Sequence, residues 1–356
     1  MFLLFSLAYA WAQEPIQKAQ ELIEKTFASE ISSSDLELAA IDGMLQSIEE
    51  QTGLSGSKAL TRQEYEDYLA WQLGAREGYG LRVQLLPGRG YFVESVISEG
   101  PADQAGVERG DVIISLADHP FTGLKPEQML VILNQEYEQS IPIDVVRREE
   151  LRRFHLEKGS FQLQLLSEGK SLNVHFFGKD VSKQLEQHLL QRPHQPMVID
   201  VRDNEGGVWE EAIAAIDLFL PSDEVIGYRR TMDGVAIPII SKGNQKHDAP
   251  VIILINQGTR GPAELFALSL QEHKRVTVLG VPSSGYSSDF RLYNLDEEVI
   301  IKIVDTEILS PQKRSWTGQG VEPNILIRQN IALPAYGSST TDMQLETALR
   351  LISNSN

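Results

Sequence analysis

From about Glu14 to Arg76 the apolar residues recur three and four apart, as at Leu36, Leu38, Ile41, Met44, Leu45 and Ile48. That spacing predicts amphipathic helix, with Ser34 and Asp35 placed to cap its start. Thr61-Arg62-Gln63-Glu64 has the form of a capping box, in which each end side chain satisfies the other residue's backbone amide. Tyr65, Tyr68, Leu69 and Leu73 form a stripe behind it that reads as core. At Gly78 the texture changes. Leu81–Leu86, Tyr91–Val96, Asp111–Leu116 and Ile141–Val146 predict strands, separated by turns at Pro87-Gly88 and Gly100-Pro101, with one helical stretch, Pro126–Leu133, before the last. From Phe161 to Arg328 the pattern changes again. Met197–Val201 and Val251–Ile255 are short and almost continuously apolar, as strands covered on both faces are. Each is followed within about a dozen residues by a helical stretch, Glu210–Leu220 and Pro262–His273. This alternation predicts an α/β core with a largely parallel central sheet. Met343–Ile352 predicts a closing helix, after a Gly/Ser/Thr linker at Gly337–Thr341.

Composition narrows the chemistry. A chain of 356 residues accommodates two or three domains. Its 32 basic against 50 acidic side chains leave a net charge of −18, which disfavours nucleic acid and anionic lipid as partners. Cysteine is absent, so disulfides, thiolate catalysis, iron–sulfur clusters and cysteine-held zinc are excluded. The seven histidines, at 119, 155, 175, 188, 194, 247 and 273, include no pair four apart on one helix face, so neither a metal nor another cofactor is expected. Met1–Ala12 is an apolar run ending in small-residue steps before Gln13-Glu14-Pro15. It resembles the end of a secretory signal peptide and is too short to span a bilayer, so the expectation is a periplasmic or otherwise exported protein with no membrane span.

Two loops carry the candidate chemistry. Ile199-Asp-Val-Arg-Asp-Asn-Glu-Gly-Gly207 puts Gly206 and Gly207 just beyond a buried strand, where backbone amides can hold a developing oxyanion. Asn256-Gln-Gly-Thr-Arg-Gly-Pro-Ala-Glu264 leads into a helix with Pro262 at a first helical position and Glu264 in the first turn. Amides at that start are expected to point toward the loop, and Arg260 stands there either as a carboxylate contact or as a solvated cation.

Gly100-Pro-Ala-Asp-Gln-Ala-Gly-Val-Glu-Arg-Gly-Asp-Val-Ile113 is similar to the signature of bacterial PDZ domains. Tyr79, Gly80, Leu81, Arg82 and Val83 then sit where such domains receive a peptide C-terminus, through loop amides that bind its carboxylate and a strand edge that pairs with its backbone. Together with Ala39–Ile48, Ile199–Gly207, Asp217–Pro221, Asn256–Leu265 and Gly318–Pro323, the chain resembles the C-terminal-processing, or tail-specific, serine proteases. The resemblance implies five segments: a leader remnant at 1–12, a helical N-terminal region at 13–76, a PDZ domain at 77–157, a ClpP/crotonase-like α/β core at 158–336, and a linker with a C-terminal helix at 337–356. It also implies a serine nucleophile, a lysine base and a supporting glutamine. Counting from Gly258 and Glu264, these positions hold Gly261, Tyr286 and Phe290. Glycine offers no nucleophile, and an ordinary tyrosine, with a pKa of about 10, is a poor base at neutral pH. Losing an acyl-transfer nucleophile costs on the order of a millionfold in rate, roughly 8 kcal/mol.

The expectation is therefore a pseudoprotease that binds protein C-termini, or serves as scaffold or regulator in an envelope complex or beside an active homologue. A homo-oligomer is implied by the resemblance alone. The alternative is an active peptidase with a relocated dyad, drawn from Thr259, Ser269, Ser283, Ser284, Ser287 and Ser288 with Lys274 or Lys302.

Overall fold

The computed structural model describes residues 15–27, 32–133, 135, 137, 140–163, 165–168, 170–328 and 342–354. The expected leader at 1–12 and linker at 337–341 lie outside the described residues. The chain forms two compact units. The smaller contains described residues up to Asp67, with Thr231–Gly234 and Ser288–Glu307; the larger contains the rest.

In the smaller unit, helix Ser33–Thr52 ends on Gly53, whose φ of 71° is the left-handed conformation glycine adopts without strain. The helix begins earlier than expected. Ser32 is the N-cap and makes no side-chain cap, so Ser34 and Asp35 lie in the first turn, where Asp35 still favours the helix dipole. The capping box is present: Thr61 N donates to Glu64 Oε2 at 2.8 Å and Glu64 N to Thr61 Oγ1 at 3.1 Å. The region expected to be helical also contains a strand, Lys58–Thr61, which pairs antiparallel with Val299–Leu309, and that long strand pairs in turn with Ser288–Asn294. Of the predicted apolar stripe only Leu45 is buried. Met44, Ile48, Leu69 and Leu73 are exposed, so the stripe behind the capping box is not core. Helical spacing specifies a face but not what covers it.

The larger unit contains two folded regions. The first is an antiparallel sheet in the order Leu81–Leu86, Gly90–Val96, Val112–Leu116, Ile141–Arg147, Glu150–Leu156, with helices Pro101–Gln104 and Pro126–Leu133. Val93, Phe121, Met129, Ile143 and Val145 form its fully buried centre. A polar clasp closes one side. Arg147 donates to both carboxylate oxygens of the fully buried Asp111, at 2.7 and 2.8 Å, to Glu108 at 2.6 Å and to Gly106 O at 2.7 Å. The chain enters and leaves this region through a two-stranded ribbon, Ala75–Gly78 against Gly159–Gln162, with Gly78 opposite Gly159. Its first strand spans the expected boundary at 76/77, and its second begins just past the expected boundary at 157/158.

The second folded region is a six-stranded sheet, ordered Leu165–Glu168, Ser171–Val174, Met197–Asp200, Val251–Ile255, Thr277–Gly280, Ile325–Leu326. The first pairing is antiparallel and the other four are parallel. Successive strand residues face opposite ways. Ile199, Ile253 and Val278 pack with helices Val181–Gln191, Trp209–Asp217 and Pro262–Glu272 in one core. Val198, Ile252, Leu254 and Leu279 pack with Ala348 and Ile352 of the closing helix, Met343–Ser353, in another. Helix Pro262–Glu272 is buried on every side from Pro262 to Leu270, which fixes its first turn rigidly.

The closing helix is tied to the sheet by charge. Arg202, at the end of strand Met197–Asp200, donates to Asp342 at 2.7 and 3.0 Å and to Asp200 at 2.5 Å, while Asp342 also caps the helix by accepting from Leu345 N. Burial alone would raise the Asp342 carboxyl, but Arg202 overrides it and holds it at about 2, below its ordinary 3.8. A depressed carboxyl stabilises the fold above its unfolded pKa and loses that contribution as pH falls through the folded one. Thermal melts are expected to show about 2 kcal/mol lost between pH 4 and 2 at this site, and Arg202→Met is expected to remove that portion of the acid dependence. Among the described residues, no helix is long and apolar enough to cross a membrane.

Candidate functional site

Strand Val251–Ile255 runs into the loop that starts helix Pro262–Glu272, and Gly261 occupies the junction with φ 55° and ψ −116°. This conformation suits glycine; another residue would carry about 1–3 kcal/mol of strain there. A sharp strand-to-helix turn of this kind holds the nucleophile in α/β-hydrolases. A Cβ built on Gly261 meets Tyr286 Cδ1 at 3.5 Å, an ordinary contact. The structure thus brings Gly261 and Tyr286 together, with an aromatic ring against the first and no amine.

Glu264 holds the two loops in this relation. Its carboxylate is fully buried and accepts from Gly261 N (2.8 Å), Tyr286 N (2.8 Å), Gly285 N (2.7 Å) and Ser283 Oγ (2.5 Å). Burial pushes this carboxyl above the usual range, and the four donors pull it back only in part. The sequence suggests Glu264 as a helix-start residue; its hold on loop 283–286 has no local signature.

Several expectations are corrected here. The helix-start amides do not point outward: Gly261 N is bonded to Glu264, Ala263 N to Arg260 O, Glu264 N to Gly261 O, and Pro262 has none. Arg260 therefore lacks the amide neighbours expected of an anion site. It lies exposed over the Tyr286 ring, 4.3 Å from the centroid, and no carboxylate among the described residues is in ion-pair range. Gly206 N donates to Asn204 Oδ1 at 2.9 Å, a bond that an oxyanion at this amide would have to displace. Gly207, at φ 128°, is required by close packing, because a Cβ would collide with Phe177 O.

Four of the candidate hydroxyls are hydrogen-bonded. Thr259 Oγ1 donates to Val201 O at 2.8 Å, Ser283 and Ser284 to Glu264, and Ser287 shares a bond with Thr317. Ser269 Oγ is buried within the helix and has no hydrogen-bond partner among the described residues. Lys274 follows the far end of that helix, on the order of 17 Å from Gly261 at 1.5 Å per residue. Ser288, Phe290 and Lys302 belong to the smaller unit, where Lys302 Nζ lies 4.3 Å from the centre of the Phe290 ring.

The strand Leu81–Leu86 is the outer strand of its sheet, paired only with Gly90–Val96 among the described residues. Gly80 turns the chain into it at φ 68°, with Tyr79 O accepting from Ala102 N and Gly80 O from Ile97 N, both at 2.9 Å. Tyr79, Leu81 and Val83 lie half-buried against the sheet's core. Arg82 points elsewhere: its Nη2 lies 2.5 Å from Asp203 Oδ1 and its Nε 3.5 Å from Glu94 Oε2. Burial raises the Glu94 carboxyl, Arg82 opposes that, and Asp203 adds to it.

Residues 171–327 match the profile of peptidase family S41 and residues 71–146 that of the PDZ domain. The "Probable CtpA-like serine protease" of Staphylococcus haemolyticus is 21% identical over 91% of this chain, which spans 65% of that relative's length. The "Carboxyl-terminal-processing protease" of Synechocystis is 22% identical, covering 93% of this chain and 80% of the relative. Among solved structures, the photosystem II D1 C-terminal processing protease superposes with a TM-score of 0.55 at 16% identity, over 91% of this chain and 97% of the other.

Proposed function

On the premise that the chain joins an S41 peptidase domain to a PDZ domain, we propose that it is a catalytically silent relative of the C-terminal-processing proteases. Its role is to hold protein C-termini, outside the cytoplasm, as a scaffold or as a regulator of an active homologue. The observation that carries this reading is the occupant of the strand-to-helix turn. Gly261 sits there without a side chain, and the ring of Tyr286, the residue that counting through the family pattern sets at the lysine position, lies against it. The Glu264 clasp supports the same reading, because the turn is maintained although it lacks a nucleophile.

The expected result is that purified protein incubated with an unstructured polypeptide yields no cleavage, while fluorescent peptides with free C-termini bind and the same peptides amidated at the end bind more weakly. Turnover that disappears on substituting one hydroxyl, such as Ser283→Ala or Ser287→Ala, would overturn the silent assignment.

A further inference from the structure

Asp203 is presented to Arg82 by a constructed support. Its backbone adopts φ 60°, a left-handed conformation that aspartate tolerates better than most residues. Asn256 Oδ1 fixes that conformation by accepting from Asp203 N at 2.8 Å. Gly258 leaves the necessary room, since a Cβ there would run into the Asp203 side chain. Three residues of the α/β region thus combine to aim one carboxylate at one guanidinium. That guanidinium stands on the outer strand Leu81–Leu86, whose free side is the strand edge onto which a peptide would add.

We propose that Asp203 is a built-in stand-in for a ligand carboxylate, and that Arg82 makes the PDZ domain select peptides bearing an aspartate or glutamate close to their C-terminus. This rests on the reading of Leu81–Leu86 as the strand that receives the peptide. An arriving acidic side chain takes the place of Asp203 on Arg82. Arg82 keeps a carboxylate partner throughout: Glu94 remains at 3.5 Å, and the ligand's carboxylate takes the bond that Asp203 gives up as its side chain turns to solvent. The exchange is feasible because the pair is partly exposed, with 38% of the Arg82 side chain and 25% of the Asp203 side chain accessible. A pair of this kind is worth about 0.2–1 kcal/mol, which a ligand can match.

The test measures fluorescence anisotropy of the full chain with short peptides that share an apolar last residue and carry Asp, Asn or Lys at each of the preceding positions in turn. Because the bond gained replaces one lost, the best Asp peptide is expected to bind the full chain only about twofold tighter than its Asn counterpart, and the difference is expected to fade in high salt. Asp203→Asn, which keeps the left-handed backbone, is expected to tighten the Asp peptide by a similar factor, whereas Arg82→Met erases the difference between Asp and Asn peptides. Equal binding of Asp and Asn peptides overturns the selectivity while leaving peptide docking intact. An acidic preference that Asp203→Asn leaves unchanged overturns the exchange. Absence of binding by every peptide overturns the docking reading itself, and the selectivity with it.

Discussion

Glu264→Leu is expected to destabilise the larger unit by about 3–5 kcal/mol, because one buried amide, two partly buried amides and one buried hydroxyl would lose their acceptor together, each unmet group costing roughly 1–3 kcal/mol before the loops relax. Urea unfolding checks this as a lowered midpoint. Glu264→Gln is expected to cost less, about 1–2 kcal/mol. Its amide nitrogen can take the side facing Ser283, whose hydroxyl can turn to accept, leaving Gly285 N as the one opposed donor. The pH dependence separates the two effects. Since the Glu264 carboxyl is raised in the fold, its favourable contribution is complete below the ordinary carboxyl range and declines as pH rises through the shifted value. The glutamine variant is expected to lack that decline. A glutamate whose loss changed neither the midpoint nor its pH dependence would not be the clasp of these loops.

Arg147→Met is expected to cost a similar 3–5 kcal/mol, for a different reason. It leaves Asp111, with no exposed surface, as a charge without a counter-ion. The damage should be local, with amide exchange rising across 79–157 ahead of the α/β sheet. Removing the acid as well, in Asp111→Leu with Arg147→Met, is expected to recover much of the loss, because a buried ion pair contributes little net stability beyond an apolar pair of similar volume. A double variant as unstable as the single would show that the clasp contributes through packing of the Gly106 turn instead.

The elements most legible in the sequence are those whose signals are local. Val251–Ile255 and Pro126–Leu133 form as the pattern predicts, the first from its unbroken apolar run and the second from its spacing. The Thr61–Glu64 box closes as the residue types require. What escaped is long-range. Ala-Arg-Glu-Gly at 75–78 and Gly-Ser-Phe-Gln at 159–162 carry no strand pattern, and they pair only because the intervening sheet brings them together. Lys58–Thr61 finds its partner near residue 300, so the smaller unit is discontinuous in a way no local window reveals. At the site, Gly261 and Tyr286 could be paired by counting through a family pattern. The hydrogen-bonded amide of Gly206 could not, because the Asn204 side chain that occupies it is a matter of rotamer. The same holds for Asp203, whose significance depends on the space left by Gly258.

The ribbon that joins Gly78 to Gly159 also shapes how the chain finds its fold. Because the two ends leave side by side, everything between them behaves, for the rest of the chain, as one hairpin turn. Once that turn has formed, Ala75 and Gln162 are neighbours along the effective contour, and the α/β sheet closes a short loop instead of a long one. The β-rich module can then fold early without hindering its surroundings and shortens the search for the parallel strands after it.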